Sequence, residues 1–138
     1  VGARLMVADA RPALRDFLMA DASISDAVGG VRIYPVILQQ GQRQPSLVYN
    51  RISDVGDYHM LGPSGLARPR FQIDAYAETQ DLADTLNRLV KDRLDGFSGD
   101  MGSVTVQGAF IDSLRDEYEQ DSKLFRVSTD YIIWFNER

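Results

Sequence analysis

The chain has 138 residues, 44% of them hydrophobic and 25% charged, enough to bury one core without metals or disulfides and too apolar for disorder. A net charge of −5 with a pI near 4.7 excludes a protein whose main task is gripping nucleic acid, because such binding needs Lys and Arg against phosphates. The absence of cysteine excludes a disulfide framework, a thiolate metal site and a thiol nucleophile. No apolar run approaches the roughly 18 to 20 residues that span a bilayer, and no basic stretch precedes an apolar signal core. A soluble cytoplasmic product without membrane partners is expected, as a single domain over residues 1–138 with residues 1–11 as an N-terminal segment.

Leu14, Phe17 and Leu18 recur at helical spacing and predict a helix from about Ala10 to Ala20, with Asp9 as its cap and Pro12 in its first turn. A second short helix, Ser23 to Val28, is closed by Gly29 and Gly30. The chain then runs extended from Arg32 to Val36. The polar stretch Leu38 to Gln44 predicts a surface loop before a strand from Ser46 to about Val55. Residues 56–69, with Pro63, Pro69 and several glycines, predict a long protruding hairpin connection, the longest irregular stretch of the chain.

From Arg70 to Ala77 the residues alternate, with Phe71, Ile73 and Ala75 on one side and Arg70, Gln72 and Asp74 on the other, as in a half-buried strand. Thr79 is placed to cap a helix to Leu94, whose Leu82, Leu86, Leu89, Val90 and Leu94 form one stripe and which Gly96 ends. A glycine-rich turn (Gly99 to Gly102), a strand from Val104 to Asp112 and an acidic turn around Asp116 to Asp121 follow. The last strand, Leu124 to Phe135, places Phe125, Val127, Thr129, Tyr131, Ile133 and Phe135 on one face and Leu124, Arg126, Ser128, Asp130, Ile132 and Trp134 on the other. The expected fold is α+β: an antiparallel or mixed four-stranded sheet with the helices packed on one face.

Signals for chemistry are weak. His59 is the only imidazole, with Asp54 and Asp57 nearby, and zinc or iron sites call for more imidazole or thiolate than this. Gly62-Pro63-Ser64-Gly65 is one residue short of a nucleophile elbow and does not lead from a buried strand into a helix. Gly96, Gly99 and Gly102 follow a helix and precede a strand, the reverse of a phosphate-cradling loop. Asp112, Asp116, Glu117, Glu119 and Asp121 read as a solvated turn, or as a field that repels DNA or meets a basic partner. No catalytic residue, cofactor or metal is expected.

Candidate contact residues stand out instead. Ile132 and Trp134 interrupt the polar face of the last strand, and something must cover Trp134: either the chain's own Leu5, Met6 and Val7, or a subunit interface, where Trp anchors are enriched. Tyr58, Met60 and Leu61 set three large side chains on a hairpin too rich in glycine to form its own core, which reads as a docking finger.

The order of Val28-Gly29-Gly30-Val31-Arg32-Ile33-Tyr34-Pro35, Pro45-Ser46-Leu47-Val48-Tyr49-Asn50-Arg51-Ile52-Ser53 and Gly62-Pro63-Ser64-Gly65-Leu66-Ala67-Arg68 before Phe71-Gln72-Ile73-Asp74 resembles the tail completion (tail terminator) proteins of tailed phages, prophages and gene transfer particles. Val106-Gln107-Gly108, Arg115-Asp116-Glu117-Tyr118-Glu119 and Phe125 to Tyr131 with Trp134 extend the likeness, which covers the chain from about Leu14 to its end. The resemblance implies a structural virion protein: a homo-hexameric ring at the head-proximal end of the tail, assembled in the host cytoplasm. Such a ring caps the tail tube protein and presents a surface to the head-tail connector or stopper protein, while DNA passes through the lumen without specific binding. It implies no catalytic residues. The alternatives are a head-side neck or connector protein and a small-ligand-binding domain.

Overall fold

The computed structural model describes residues 10–53, 56–59, 62–102 and 104–136. Asp9 and Val55, expected as a cap and a strand end, lie outside the described residues. The elements in chain order are α1 (Ala10–Met19), α2 (Ala22–Ala27), β1 (Ile33–Pro35), β2 (Ser46–Ser53), β3 (Gly56–His59), β4 (Gly62–Ala67), β5 (Arg70–Ala77), α3 (Gln80–Leu94), β6 (Gly99–Met101), β7 (Val104–Glu119) and β8 (Leu124–Asn136).

The strands form one mixed sheet. Its first rank is β1, parallel to β2; β2 pairs with β5, β5 with β8, β8 with β7 and β7 with β6, all antiparallel. The short β3 and β4 pair with each other, and β4 adds onto the end of β8 through Leu66↔Asn136 and Ala67↔Phe135. They carry the β2–β5 hairpin onward, so eight strands occupy six ranks.

The α+β class expected from sequence holds, but the four-stranded sheet does not. Two further ranks come from β1 and β6, each three residues long and too short to show a period of two. β1 is held to β2 through Ile33↔Leu47 and Tyr34↔Val48. β6 turns the supposed glycine-rich turn into a tight hairpin with the start of β7, through Gly99↔Val106 and Met101↔Val104. The stretch 56–69, expected to be irregular, has strands for its arms.

The acidic turn expected at Asp116 to Asp121 is likewise strand as far as Glu119, because β8 needs a partner along its whole length: Arg115↔Ser128, Glu117↔Arg126 and Glu119↔Leu124. Bulges near Gln107 and Asp112 reset the side-chain phase of β7. They conceal its alternation in the sequence.

The core lies between the inner face of the sheet and the helices. Val127, Thr129, Tyr131, Ile133 and Phe135 of β8 are buried beside Phe71, Ile73, Ala75 and Ala77 of β5, under Leu14 and Leu18 of α1 and Leu86, Val90 and Leu94 of α3. Each large apolar side chain so buried stabilises the fold by about 1.5 to 3 kcal/mol. Thr79 caps α3 by accepting from Leu82 N–H, and Asp21 caps α2 by accepting from Ser23 and Ile24 N–H. Inside the core, Thr129 Oγ1 donates to Asn87 Oδ1 at 2.8 Å, fixing α3 over β8. Arg93 joins α3 to α1, donating to the Phe17 carbonyl and lying 3.8 Å from its ring centroid.

Candidate assembly interface

The helices leave the outer face of the sheet uncovered, and it divides into three zones. At one end Val48, Tyr76 and Leu124 form a small second cluster with Tyr34 and Leu38. The 36–45 segment is tied down over this end by Arg43, whose Nε donates to Glu78 Oε2 at 2.9 Å and whose Nη1 donates to the Ser122 carbonyl at 2.7 Å.

The middle zone is charged. Arg70 of β5 donates to Asp112 of β7 and to Asp130 of β8, and Arg115 stands 3.7 Å from Asp130. Arg126 of β8 donates to Glu117 and Glu119 of β7 and to the Tyr76 hydroxyl. Burial lowers the Arg126 pKa, but its bonds to Tyr76 and Glu117 and the charge of Asp74 outweigh that and raise it. Burial raises the Asp74 carboxyl, opposed by Ser128, by Gln72 and by the charges of Arg126 and Arg115. Asp112, Glu117 and Glu119 are therefore cross-strand partners of arginines within the same chain. This corrects the reading of the run as a solvated turn for the strand residues Asp112, Glu117 and Glu119, while Asp116 and Asp121 are exposed as that reading has them.

The third zone is apolar. Register sets Trp134 opposite Gly108 and Ile132 opposite both Phe110 and Arg70. A side chain at position 108 would come within 2.8 Å of the Phe110 ring; the bare glycine lets that ring lie back beside Trp134. A cleft of about 310 Å³ results, floored by Phe110, Ile132 and Trp134 and rimmed by Arg68, Arg70 and Asp112. The Arg68 guanidinium sits 5.3 Å from the Trp134 ring centroid. Phe110 is 53% exposed, unusual for so large an apolar ring.

Of the contact residues named from sequence, the structure brings Ile132 and Trp134 together in this cleft and puts Tyr58 on β3, opposite Pro63 of β4. Met60 and Leu61 lie outside the described residues, as do Leu5, Met6 and Val7. Sequence reasoning missed Arg68, Gly108 and Phe110. The bulges of β7 shift the phase by which Phe110 could be assigned to the outer face.

β3 and β4 form a two-stranded ribbon that continues the β2–β5 hairpin: among the described residues, Leu66 and Ala67 are the ones of it that pair with β8, at Asn136 and Phe135. An isolated ribbon of two strands is marginally stable in water. β7 is also open along one side, since β6 pairs only with its residues 104–106. Beyond that, the Gly96 and Ile111 amides bond to Ala109 O and Asp95 Oδ1 respectively. From Ser113 to Glu119 no other strand is paired to that side among the described residues. Leu114 and Tyr118, on the helix side of this stretch, are 49% and 44% exposed.

No group of three or more metal-ligating side chains occurs among the described residues. The protein thus combines helices and a mixed sheet, with most of one sheet face packed under its own helices and an apolar cleft, a ribbon and an open edge of β7 outside that core. It belongs to the family of Tail completion protein gp17, whose pattern matches residues 12–136, and so is a structural protein of the virion tail. Among 21 matching chains of solved structures, one from the virion of a native gene transfer agent (GTA) particle superposes with a TM-score of 0.74 over 89% of this chain and 91% of that one. At 14% identity the likeness is one of fold. No curated protein matches the sequence.

Proposed function

We propose that the chain is a tail terminator: copies of it close into a hexameric ring that caps the finished tail tube, stops its growth and offers its other side to the head-side connector. The β3–β4 ribbon is the observation that carries this reading within a family of tail completion proteins. A closed ring needs a heterologous contact, one surface of a copy fitting a different surface of the next. A ribbon with few partners in its own sheet, and an open strand edge elsewhere in the same sheet, are features that neighbours cover by strand addition. The role is one of assembly and involves no catalysis.

The test replaces residues 56–67 by a two-residue turn. Because the pairing of the ribbon with β8 among the described residues is confined to Leu66 and Ala67, the shortened chain should unfold at nearly the same temperature as the full one. It should form no rings and leave tail tubes uncapped and overlong in electron micrographs. Rings and normal tube lengths from the shortened chain would refute the proposal, and binding to the portal side with another multiplicity would assign the chain to the head-side neck.

A further inference from the structure

Resting on the ring reading, we infer that a cleft between α1 and the β1–β2 edge receives the open arm of β7, residues 113–119, from a second copy of this chain. The first observation is where apolar surface is left over. Among the described residues eight large apolar side chains are exposed: Val31, Val36, Ile37 and Ile52 lie on or beside β1 and β2, Phe110, Leu114 and Tyr118 lie on β7, and Leu82 lies on α3. β1 and β2 stand on one side of the sheet and β7 on the other, with β5 and β8 between them. Two unlike apolar edges on one molecule are what a head-to-tail contact requires, whereas a two-fold contact needs only one surface.

The second observation is charge. The cleft, of about 520 Å³, is walled by Pro12, Pro35 and Val36 and ringed by Arg11, Arg15 and Arg51, with Asp16 standing 3.7 Å from Arg15. Three arginines to one carboxylate give it a sign opposite to the net charge of −5. The β7 arm is its complement. By register Asp116 lies opposite Val127, a core residue, so it faces the helix side together with Leu114 and Tyr118, and all three are exposed. Glu117 and Glu119 face the other way, where Arg126 engages them. The arm therefore offers one carboxylate between two apolar groups to a cleft of arginines with an apolar wall. Exposed ion pairs add little affinity by themselves; burial of Leu114 and Tyr118 holds the two copies together, and the charges set their orientation.

Arm and cleft of one chain cannot meet. Arg51 follows Leu47 and Tyr49 of the core in the alternation of β2, so the cleft also lies on the helix side. Asp116, however, is level with Leu47, through Val127 and Ala75. Three strand spacings across and four residues along separate its backbone from that of Arg51 by roughly 20 Å, and α3 packs on the β5 and β8 strands between them.

The test reverses charges in the full chain and follows ring formation, with and without tail tubes, by sedimentation and electron microscopy. Asp116→Arg in one chain, and Arg15→Glu with Arg51→Glu in another, should each raise the concentration needed for ring assembly by about 30-fold or more, the loss expected when the centre of an interface is disrupted. Mixed in equal amounts, the two variants should form rings at nearly the wild-type concentration, because the reversed arm fits the reversed cleft and the two native surfaces fit each other. A variant that is merely misfolded is not rescued in this way. Val36→Gly and Leu114→Ser should each weaken assembly by about 10-fold, as burial of one aliphatic side chain at the contact implies; these cover the case in which a charge variant folds poorly.

Wild-type rings together with Asp116→Arg and Val36→Gly chains that assemble normally, or with two defective charge variants that stay unassembled when mixed, would overturn the pairing of arm and cleft while leaving the ring reading in place. A wild type that forms rings neither in solution nor on tubes would overturn both.

Discussion

Asp74 shows how one buried side chain records the cost of a polar outer face. It is 6% exposed, and Gln72 Nε2 donates to both of its oxygens, at 2.9 and 3.1 Å. Burial still leaves its pKa raised above that of an ordinary carboxyl. Between the unfolded value of about 4 and the raised folded value, the native state therefore holds more protons than the unfolded one. Stability must fall as pH rises through that window. Asp74→Asn should remove this fall, so that urea midpoints of the variant decline less than those of the wild type from about pH 4 upward. Equal declines in the two proteins would show that Gln72, Ser128, Arg115 and Arg126 already compensate the charge in full.

At the scale of elements, the junction after β1 is the most strained point described. Val36 has φ of 71°, a region that β-branched residues rarely occupy. The Val36 amide donates to Tyr49 O and the Ile37 amide to Pro35 O, closing a γ-turn of the rarer, positive-φ kind. Val36 and Ile37 are 62% and 67% exposed, so burial does not offset the strain. Such a conformation costs about 1 to 3 kcal/mol, against somewhat under 1 kcal/mol for the extra unfolded-state freedom of glycine. Val36→Gly should therefore stabilise the chain by about 1 kcal/mol in urea titration. A loss of stability would mean that the valine side chain makes contacts worth more than the strain.

The whole molecule is negative, and most of its described arginines on the outer face are engaged with carboxylates: Arg70 with Asp112 and Asp130, Arg126 with Glu117 and Glu119, Arg43 with Glu78. On the proposed ring reading, carboxylates that already hold these arginines and a net charge of −5 disfavour tight binding of phosphates by this face. A short DNA duplex in about 0.15 M salt, where the Debye length is about 8 Å, should migrate unretarded with the chain at micromolar concentration. Retardation that weakens steeply with added salt would indicate a basic surface facing the lumen.

The sequence by itself determined what depends on near neighbours along the chain. The helices with their Thr79 cap, the alternation of β5, the inner row of β8 and the family pattern from Val28 to Trp134 were all legible there, because periodicity and capping are properties of residues a few places apart. Tertiary structure decided what depends on register between distant strands. It set the parallel docking of β1 on β2, the continuation of β7 to Glu119, the bonding of Arg70 to residues 42 and 60 positions away, and the meeting of Gly108, Phe110 and Trp134 in one cleft. A bulge of one residue moves every following side chain of a strand to the opposite face, and only the pairing of β7 with β8 shows where those bulges fall.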